Sequence, residues 1–322
     1  MEYRKLPGTS VRVSRVCLGT MMFGGQTSEA DSLAIMDCAF DHGVNFFDTA
    51  NVYVQGESER IVGKALKGRR ERIILATKVH GQMGDDPNDA GLSRRNILAA
   101  VEKSLKRLDT DYIDIYYMHA PDYDTAIEES LDAMTSLVRS GKVRYVGVSN
   151  FAAWQMADIL AACDRRGFVP PIITQNVYNP LTRGLEAELA PFLKAHPMAM
   201  AVYNPIAGGL LAGKHRPGAP EANTRFAMNS AYFERYWSDE NFDAVEKLTR
   251  IAQAGGMTIL QLALKWCAAQ ERVTSIISGV SKRAHIEQNI AALEGEALSP
   301  DILRECDAVW KALAGTRFAY NR

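Results

Sequence analysis

Along most of this chain, short apolar runs alternate with longer stretches in which apolar positions recur at helical spacing. The runs predict eight strands, over Val16–Leu18, Val44–Phe47, Ile73–Thr77, Ile113–Tyr117, Tyr145–Val148, Ile172–Thr174, Met198–Val202 and Val273–Ile277. The longer stretches predict helices over 28–42, 57–66, 93–108, 126–140, 153–165, 185–195, 239–254, 259–269 and 283–292, and a last helix opened by Ser299–Pro300 and ended by Gly315. Strands that are apolar without alternation are buried on both faces, the mark of a parallel sheet covered by helices. Eight such units close naturally into an α/β (β/α)8 TIM barrel, one domain over residues 1–322. A doubly wound open sheet is the alternative. It lacks support because Gly24–Gly25 is no phosphate-binding Gly-x-Gly-x-x-Gly after the first strand.

Three segments depart from the repeat. Residues 1–13 alternate polar and apolar around Pro7–Gly8 and read as an N-terminal β-hairpin. The connection Pro205–Ser238, after the seventh strand, is too long for a routine loop and gathers Gly208–Gly209, Arg216, Arg225, Tyr232, Phe233, Tyr236 and Trp237. The tail, 316–322, carries Phe318 and Tyr320, which either cover something or fray.

Composition narrows the class. The 322 residues are 47% hydrophobic and 23% charged, enough for a large core, and a net charge of -1 gives no global field to attract nucleic acid or an anionic membrane. The basic run Lys67–Arg72 reads as a solvated helix end at least as well as a binding patch. Five scattered cysteines, with no Cys-x-x-Cys pair, argue against a disulfide framework or a zinc site and suit a reducing cytoplasm. With neither a signal-like leader nor an apolar span, the expectation is a soluble, cytoplasmic protein, monomer or homo-oligomer, whose partner is a small molecule.

The chemistry collects where the strands end, the active face of a barrel of this kind. Asp48 ends the second strand with Tyr53 five positions on, Lys78 follows the third, and His119 follows the fourth. A phenol of pKa about 10 is a poor acid at neutral pH. Lys78 beside Tyr53 is expected to lower the phenol's pKa, Asp48 to compensate the ammonium, and His119 to hydrogen-bond a carbonyl oxygen or relay a proton. Such a group protonates an oxygen that is becoming an alkoxide, so a hydride donor is needed opposite it. Ser149, Asn150 and Gln175 offer groups for a carboxamide, and Tyr203 offers a flat surface for a nicotinamide ring. No set of metal ligands competes for the role.

These residues sit in motifs that resemble the aldo-keto reductase family from end to end. The motifs are 43–50 (GVNFFDTA) with Tyr53, Ala76-Thr77-Lys78, Tyr117-Met118-His119, 141–151 (GKVRYVGVSNF) and 208–214 (GGLLAGK). The resemblance implies a catalytic tetrad of Asp48, Tyr53, Lys78 and His119 with Tyr53 as general acid, and nicotinamide contacts at Ser149, Asn150, Gln175 and Tyr203. It implies a pyrophosphate segment with Asn204, Pro205, Ile206, Gly208, Lys214 and Arg225, and adenosine-end contacts at Gly279, Ser281, Gln288 and Asn289. The family generally prefers NADPH; Lys282, Arg283 and His285 supply positive charge for a 2'-phosphate, with NADH as the alternative because His285 departs from the Arg or Gln often found there. Spacing is closer to the bacterial and potassium-channel β-subunit-like branches, where Met21 takes a place often held by Trp. Met21, Phe23, His80, Trp237 and Tyr232 are the candidates for a substrate pocket.

Three readings follow. One is a reductase of an aldehyde or ketone, working reversibly. Another is a cofactor-binding regulatory protein of the channel-subunit type with little turnover. A third, a cofactor-free isomerase on the same barrel, leaves Tyr53, Lys78 and Tyr203 without a clear purpose.

Overall fold

The computed structural model describes residues 1–222 and 224–315; the tail with Phe318 and Tyr320 lies outside the described residues. Two short strands, β1 (Tyr3–Lys5) and β2 (Arg12–Ser14), pair antiparallel as the expected hairpin. Eight parallel strands follow: β3 (Val16–Gly19), β4 (Phe46–Asp48), β5 (Ile74–Val79), β6 (Ile113–Met118), β7 (Val143–Ser149), β8 (Ile173–Val177), β9 (Ala199–Tyr203) and β10 (Val273–Gly279). They pair in sequence order, and β10 pairs with β3, so the sheet closes into a barrel. Helices lie between successive strands, as in 29–41 and 94–108.

Alternation is hidden inside these largely apolar strands. Cys17, Phe46, Ala76, Ile115, Tyr117, Ile173, Ala199, Ala201 and Ile277 form one buried cluster with Leu6 and Val13 of the hairpin segment. Their immediate neighbours Val16, Leu18, Phe47, Leu75, Tyr116, Met200 and Ile276 belong to a second, larger cluster that includes the helices. One set fills the barrel, and the other packs beneath the helical coat, because successive strand residues face opposite sides. The hairpin side chains fill the N-terminal end of the barrel; Ser14 ties that end to β4 through Asn45 Oδ1, which accepts its backbone N–H at 2.7 Å. The opposite end is left for chemistry.

All eight barrel strands run further than their apolar runs. Lys78 lies inside β5, Ser149 closes β7, Gln175 sits in the middle of β8, and Tyr203 closes β9. At the C-terminal mouth a polar side chain can continue the ladder, because it faces the open end of the barrel. The connection after β9 also departs from a plain loop: it contains a 3-10 turn over Ala207–Ala212 and short helices over Arg225–Met228 and Ser230–Tyr236.

The helix Glu57–Leu66 follows the Tyr53 loop and packs on the helix Arg94–Leu108 at Gly63. A Cβ at Gly63 would lie 2.7 Å from the backbone of Leu108, which cannot rotate away. Gly63→Ala is therefore expected to cost about 1–3 kcal/mol by overpacking, read as a lower urea midpoint at unchanged m-value. A wild-type midpoint would show that the two helices have room to part.

Candidate active site

The barrel register turns one face of several strands into one site. Asp48 is two residues beyond the inward Phe46, Lys78 two beyond Ala76, His119 two beyond Tyr117, Gln175 two beyond Ile173 and Tyr203 two beyond Ala201. Each therefore inherits the inward direction at the mouth. Lys78 has no exposed surface, and its ammonium donates to Asp48 Oδ1 at 2.5 Å, to the Thr49 carbonyl at 2.7 Å and to the Tyr53 hydroxyl at 3.2 Å. Its three N–H groups are thus all engaged. Tyr53 is half-buried, and its ring meets the His119 ring edge-on at a centroid distance of 5.8 Å. The four residues expected to form a tetrad are together.

Behind Lys78, its neighbour Thr77 donates its hydroxyl to Glu59 at 2.6 Å; Glu59 is fully buried and pairs with Arg107 at 2.6 Å. The strand that carries the lysine is anchored from outside the barrel as well as from inside.

Burial is the first influence on every titrating group here. It would push the Lys78 ammonium down, but Asp48 and then Tyr53 outweigh it, and the pKa ends above its ordinary value. Burial pushes the Tyr53 phenol up, and the Lys78 charge pulls it back without reversing the direction. The expected lowering of the phenol's pKa is corrected by that balance: desolvation exceeds the attraction of an ammonium that Asp48 already offsets. The consequence is a Tyr53 that holds its proton at neutral pH. His119 is pushed down to about 3 by burial, Lys78 and His80, so it stays a neutral imidazole.

Across the mouth, the expected nicotinamide residues form their own network. The Ser149 hydroxyl donates to the Gln175 carbonyl at 3.0 Å, and Asn150, left-handed at φ 64, donates its amide to the His119 carbonyl at 3.0 Å. Tyr203 donates its hydroxyl to Asn150 Oδ1 at 2.8 Å; burial raises its pKa to about 12, which keeps that proton in place. Gln175 Nε2 donates to Asp48 Oδ2 at 2.8 Å, a link between the two halves of the site for which strand parity is the signal in the sequence.

The segment after β9 has the shape of a cradle. Asn204, Ala207, Gly208 and Gly209 all take positive φ, and the buried Asn204 Nδ2 is without a hydrogen-bond partner among the described residues. The Ala207 and Gly209 N–H groups donate within the turn, to the Asn204 and Ile206 carbonyls, so the buried Asn204 amide is the donor left over, and it wants an acceptor. The residues fit a pyrophosphate. Pro205 and Ile206 lead into the turn, with Pro205 buried. Arg225 donates to the Tyr232 hydroxyl at 3.2 Å, and Tyr232 lies against Gly208, where a Cβ would be 2.9 Å from its ring. Further along, His285 is depressed by burial and then by Lys214 and Lys282, so three of the residues expected at the phosphate end share one neighbourhood. Gly279, Ser281 and Gln288 are exposed beside them, while Asn289 is buried and donates to Ser278 Oγ at 2.8 Å.

The substrate-pocket expectations divide. Met21 and His80 are half-buried, and His80 bears on His119. Phe23 has no exposed surface and packs in the large core cluster under the helices, so it is corrected to a core residue: its apolar ring is covered by neighbours at the first βα loop. Trp237 donates its indole N–H to the Gly218 carbonyl at 2.7 Å and packs among Phe226, His215, Phe233 and Phe242, which makes it an anchor of the long connection. Tyr232 is the aromatic of that segment near enough to bear on both Tyr53 and Tyr203.

The family model described as "Aldo/keto reductase family" matches residues 15–311. The chain belongs to the aldo/keto reductase family. As a member of it, the protein is an oxidoreductase. Among similar proteins, the probable voltage-gated potassium channel subunit beta of Arabidopsis thaliana is 37% identical over 317 residues, 96% of each chain. The uncharacterized oxidoreductase YrpG of Bacillus subtilis (strain 168) is 38% identical over 326 residues, 98% of each. Aflatoxin B1 aldehyde reductase member 2 of Rattus norvegicus is 33% identical over 331 residues, 97% of this chain and 88% of that one.

The His119 environment gives this aldo/keto reductase a defined acid response. Unfolded, the imidazole takes a proton below about pH 6.5; folded, it resists until about 3, so folding stability falls as pH drops through that window and gains nothing above it. His119→Gln should remove up to about 1.4 kcal/mol of lost stability per pH unit between about pH 6 and about pH 4, compared with wild type in urea. Identical acid sensitivity in the two proteins would contradict the buried neutral imidazole.

Proposed function

We propose that this protein is an NADPH-dependent reductase of aldehydes or ketones, with Tyr53 as the general acid. The observation that carries the reading is the fully buried Lys78 ammonium divided among Asp48, Thr49 and Tyr53, with the half-buried phenol turned to the mouth. When bound, the nicotinamide cofactor supplies the hydride. Ser149, Asn150, Gln175 and Tyr203 would hold and orient its ring, the Asn204–Gly209 cradle with Lys214 and Arg225 its pyrophosphate, and Gly279, Ser281, Lys282, His285, Gln288 and Asn289 its adenosine end. Tyr53 delivers its proton to the carbonyl oxygen as negative charge grows there; Lys78 stabilises the phenolate left behind, and the neutral His119 donates a hydrogen bond to the same oxygen. Met21, His80 and Tyr232 bound the space left for the substrate. Five cysteines free of disulfides support a reducing, cytoplasmic setting.

A second reading, a cofactor-binding regulatory subunit, is favoured by the end-to-end similarity to a protein named as a channel β subunit. One experiment separates the two: fluorescence titration with NADPH, followed by absorbance assays on an aromatic aldehyde, an α-dicarbonyl and an aldose. Binding with turnover supports the reductase, binding without turnover on a broad panel favours the subunit, and no binding contradicts both.

Two variants test the assignments. Tyr53→Phe should lose at least about two decades in kcat with cofactor affinity unchanged, since a positioned acid contributes that much. Reduction at the wild-type rate would mean another proton donor. At the adenosine end, a depressed His285 gains its proton more readily beside a phosphate dianion, so the preference for NADPH over NADH should grow as pH falls for as long as the phosphate stays a dianion, and should lose that pH dependence in His285→Ala. A ratio independent of pH in the wild type would remove His285 from the phosphate site.

A further inference from the structure

Gln175 stands between the two halves of the site, and its hydrogen bond to Asp48 has consequences for proton delivery. Both side chains are almost fully buried, and the Nε2–Oδ2 distance is 2.8 Å. A carboxylate only accepts, so the amide orientation is set by chemistry: Nε2 faces Asp48, and the buried Tyr117 hydroxyl lies beside the same amide. The Gln175 main chain is held too, since its carbonyl accepts the Asn150 backbone N–H and the Ser149 hydroxyl, both at 3.0 Å.

Asp48 thereby has one donor for each oxygen: Lys78 on Oδ1 and Gln175 on Oδ2. Without the amide, Oδ2 is a buried acceptor lacking a donor, and the nearest cation that can serve it is Lys78. The carboxylate would then rotate to share both oxygens with the ammonium. The Lys78–Tyr53 contact, at 3.2 Å the longest of the three that Lys78 makes, would be the first to lengthen.

We propose that Gln175 is a positioning residue for proton transfer: by occupying Asp48 Oδ2 it confines the carboxylate to a single contact with Lys78 and keeps the ammonium against the Tyr53 hydroxyl. The inference rests on the carbonyl-reductase reading of the same site. It assigns to an amide at the cofactor side an effect on the acid side that does not depend on the ligand it touches.

The test is a double-mutant cycle with Gln175→Met and Asp48→Asn, measuring kcat for an aromatic aldehyde at saturating NADPH together with the NADPH dissociation constant by fluorescence. Gln175→Met alone should lower kcat about tenfold or more, the scale of a lost hydrogen bond to a charged group. In the Asp48→Asn background the same change should cost less than about twofold, because the two residues act as one unit. Gln175→Glu, close in size, supplies a readout that a packing role would not move. As an uncharged acid it can donate to Asp48, and as an anion it repels it, so its kcat relative to wild type should rise as pH is lowered. A change confined to cofactor affinity, losses that simply add in the cycle, or a Gln175→Glu to wild-type ratio flat with pH would each overturn the proposal. A wild-type protein that neither binds NADPH nor reduces any carbonyl would instead strike the reductase reading beneath it.

Discussion

A lysine with no exposed surface at the mouth of a barrel is tolerable only if every proton on its ammonium has an acceptor and its charge has a counter-ion. Lys78 meets both conditions with Asp48, Thr49 and Tyr53. Breaking such a pair from one side leaves a buried charge, a loss of several kcal/mol, so the arrangement persists only because the barrel imposes it. Register places Asp48 and Lys78 on adjacent strands facing inward, and the loop after β4 returns Tyr53 over them. The same burial that endangers the ammonium keeps the phenol protonated and the imidazole neutral. One constraint therefore sets three protonation states, and Tyr53 is kept a phenol rather than a phenolate.

The remainder of the mouth is arranged around that core. Hydrogen bonds run from Tyr203 through Asn150 to the His119 carbonyl, and from Ser149 through Gln175 to Asp48 and Lys78. Each link joins neighbouring strands or crosses the barrel, so the site is a property of the closed sheet and not of any single loop. The long connection after β9 is held differently: its short helices are pinned by the Trp237 cluster, and its glycine turn carries an Asn204 amide with no hydrogen-bond partner among the described residues. Strands hold the tetrad and its partners, and the long connection carries the turn proposed to meet the cofactor's pyrophosphate.

Much of this was legible from the chain. Eight apolar runs separated by helical periods specify a parallel barrel, and polar residues at the run ends mark the mouth. A propensity reading ends the strands short of Lys78, Ser149, Gln175 and Tyr203 because it stops at a polar residue, whereas inward parity from Ala76, Gly147, Ile173 and Ala201 carries the strand on. The same parity, counted from Phe46 and Ile173, was the available signal that Asp48 and Gln175 face one another. The direction of the Tyr53 shift was not legible, since it depends on how far burial outweighs a charge already compensated. Phe23 departs from its expected place for a related reason: an aromatic in a loop shows nothing in sequence of whether neighbours will cover it.

If the Lys78 ammonium, held by Asp48, acts on proton delivery through Tyr53, single-turnover hydride transfer from prebound NADPH to an aromatic aldehyde must register its loss in Lys78→Met. A fall of about two decades or more in the transfer rate, with cofactor affinity within about threefold of wild type, is the expected result. Transfer at the wild-type rate would contradict it, because the phenol would then be acting without the charge that the whole mouth is built to hold.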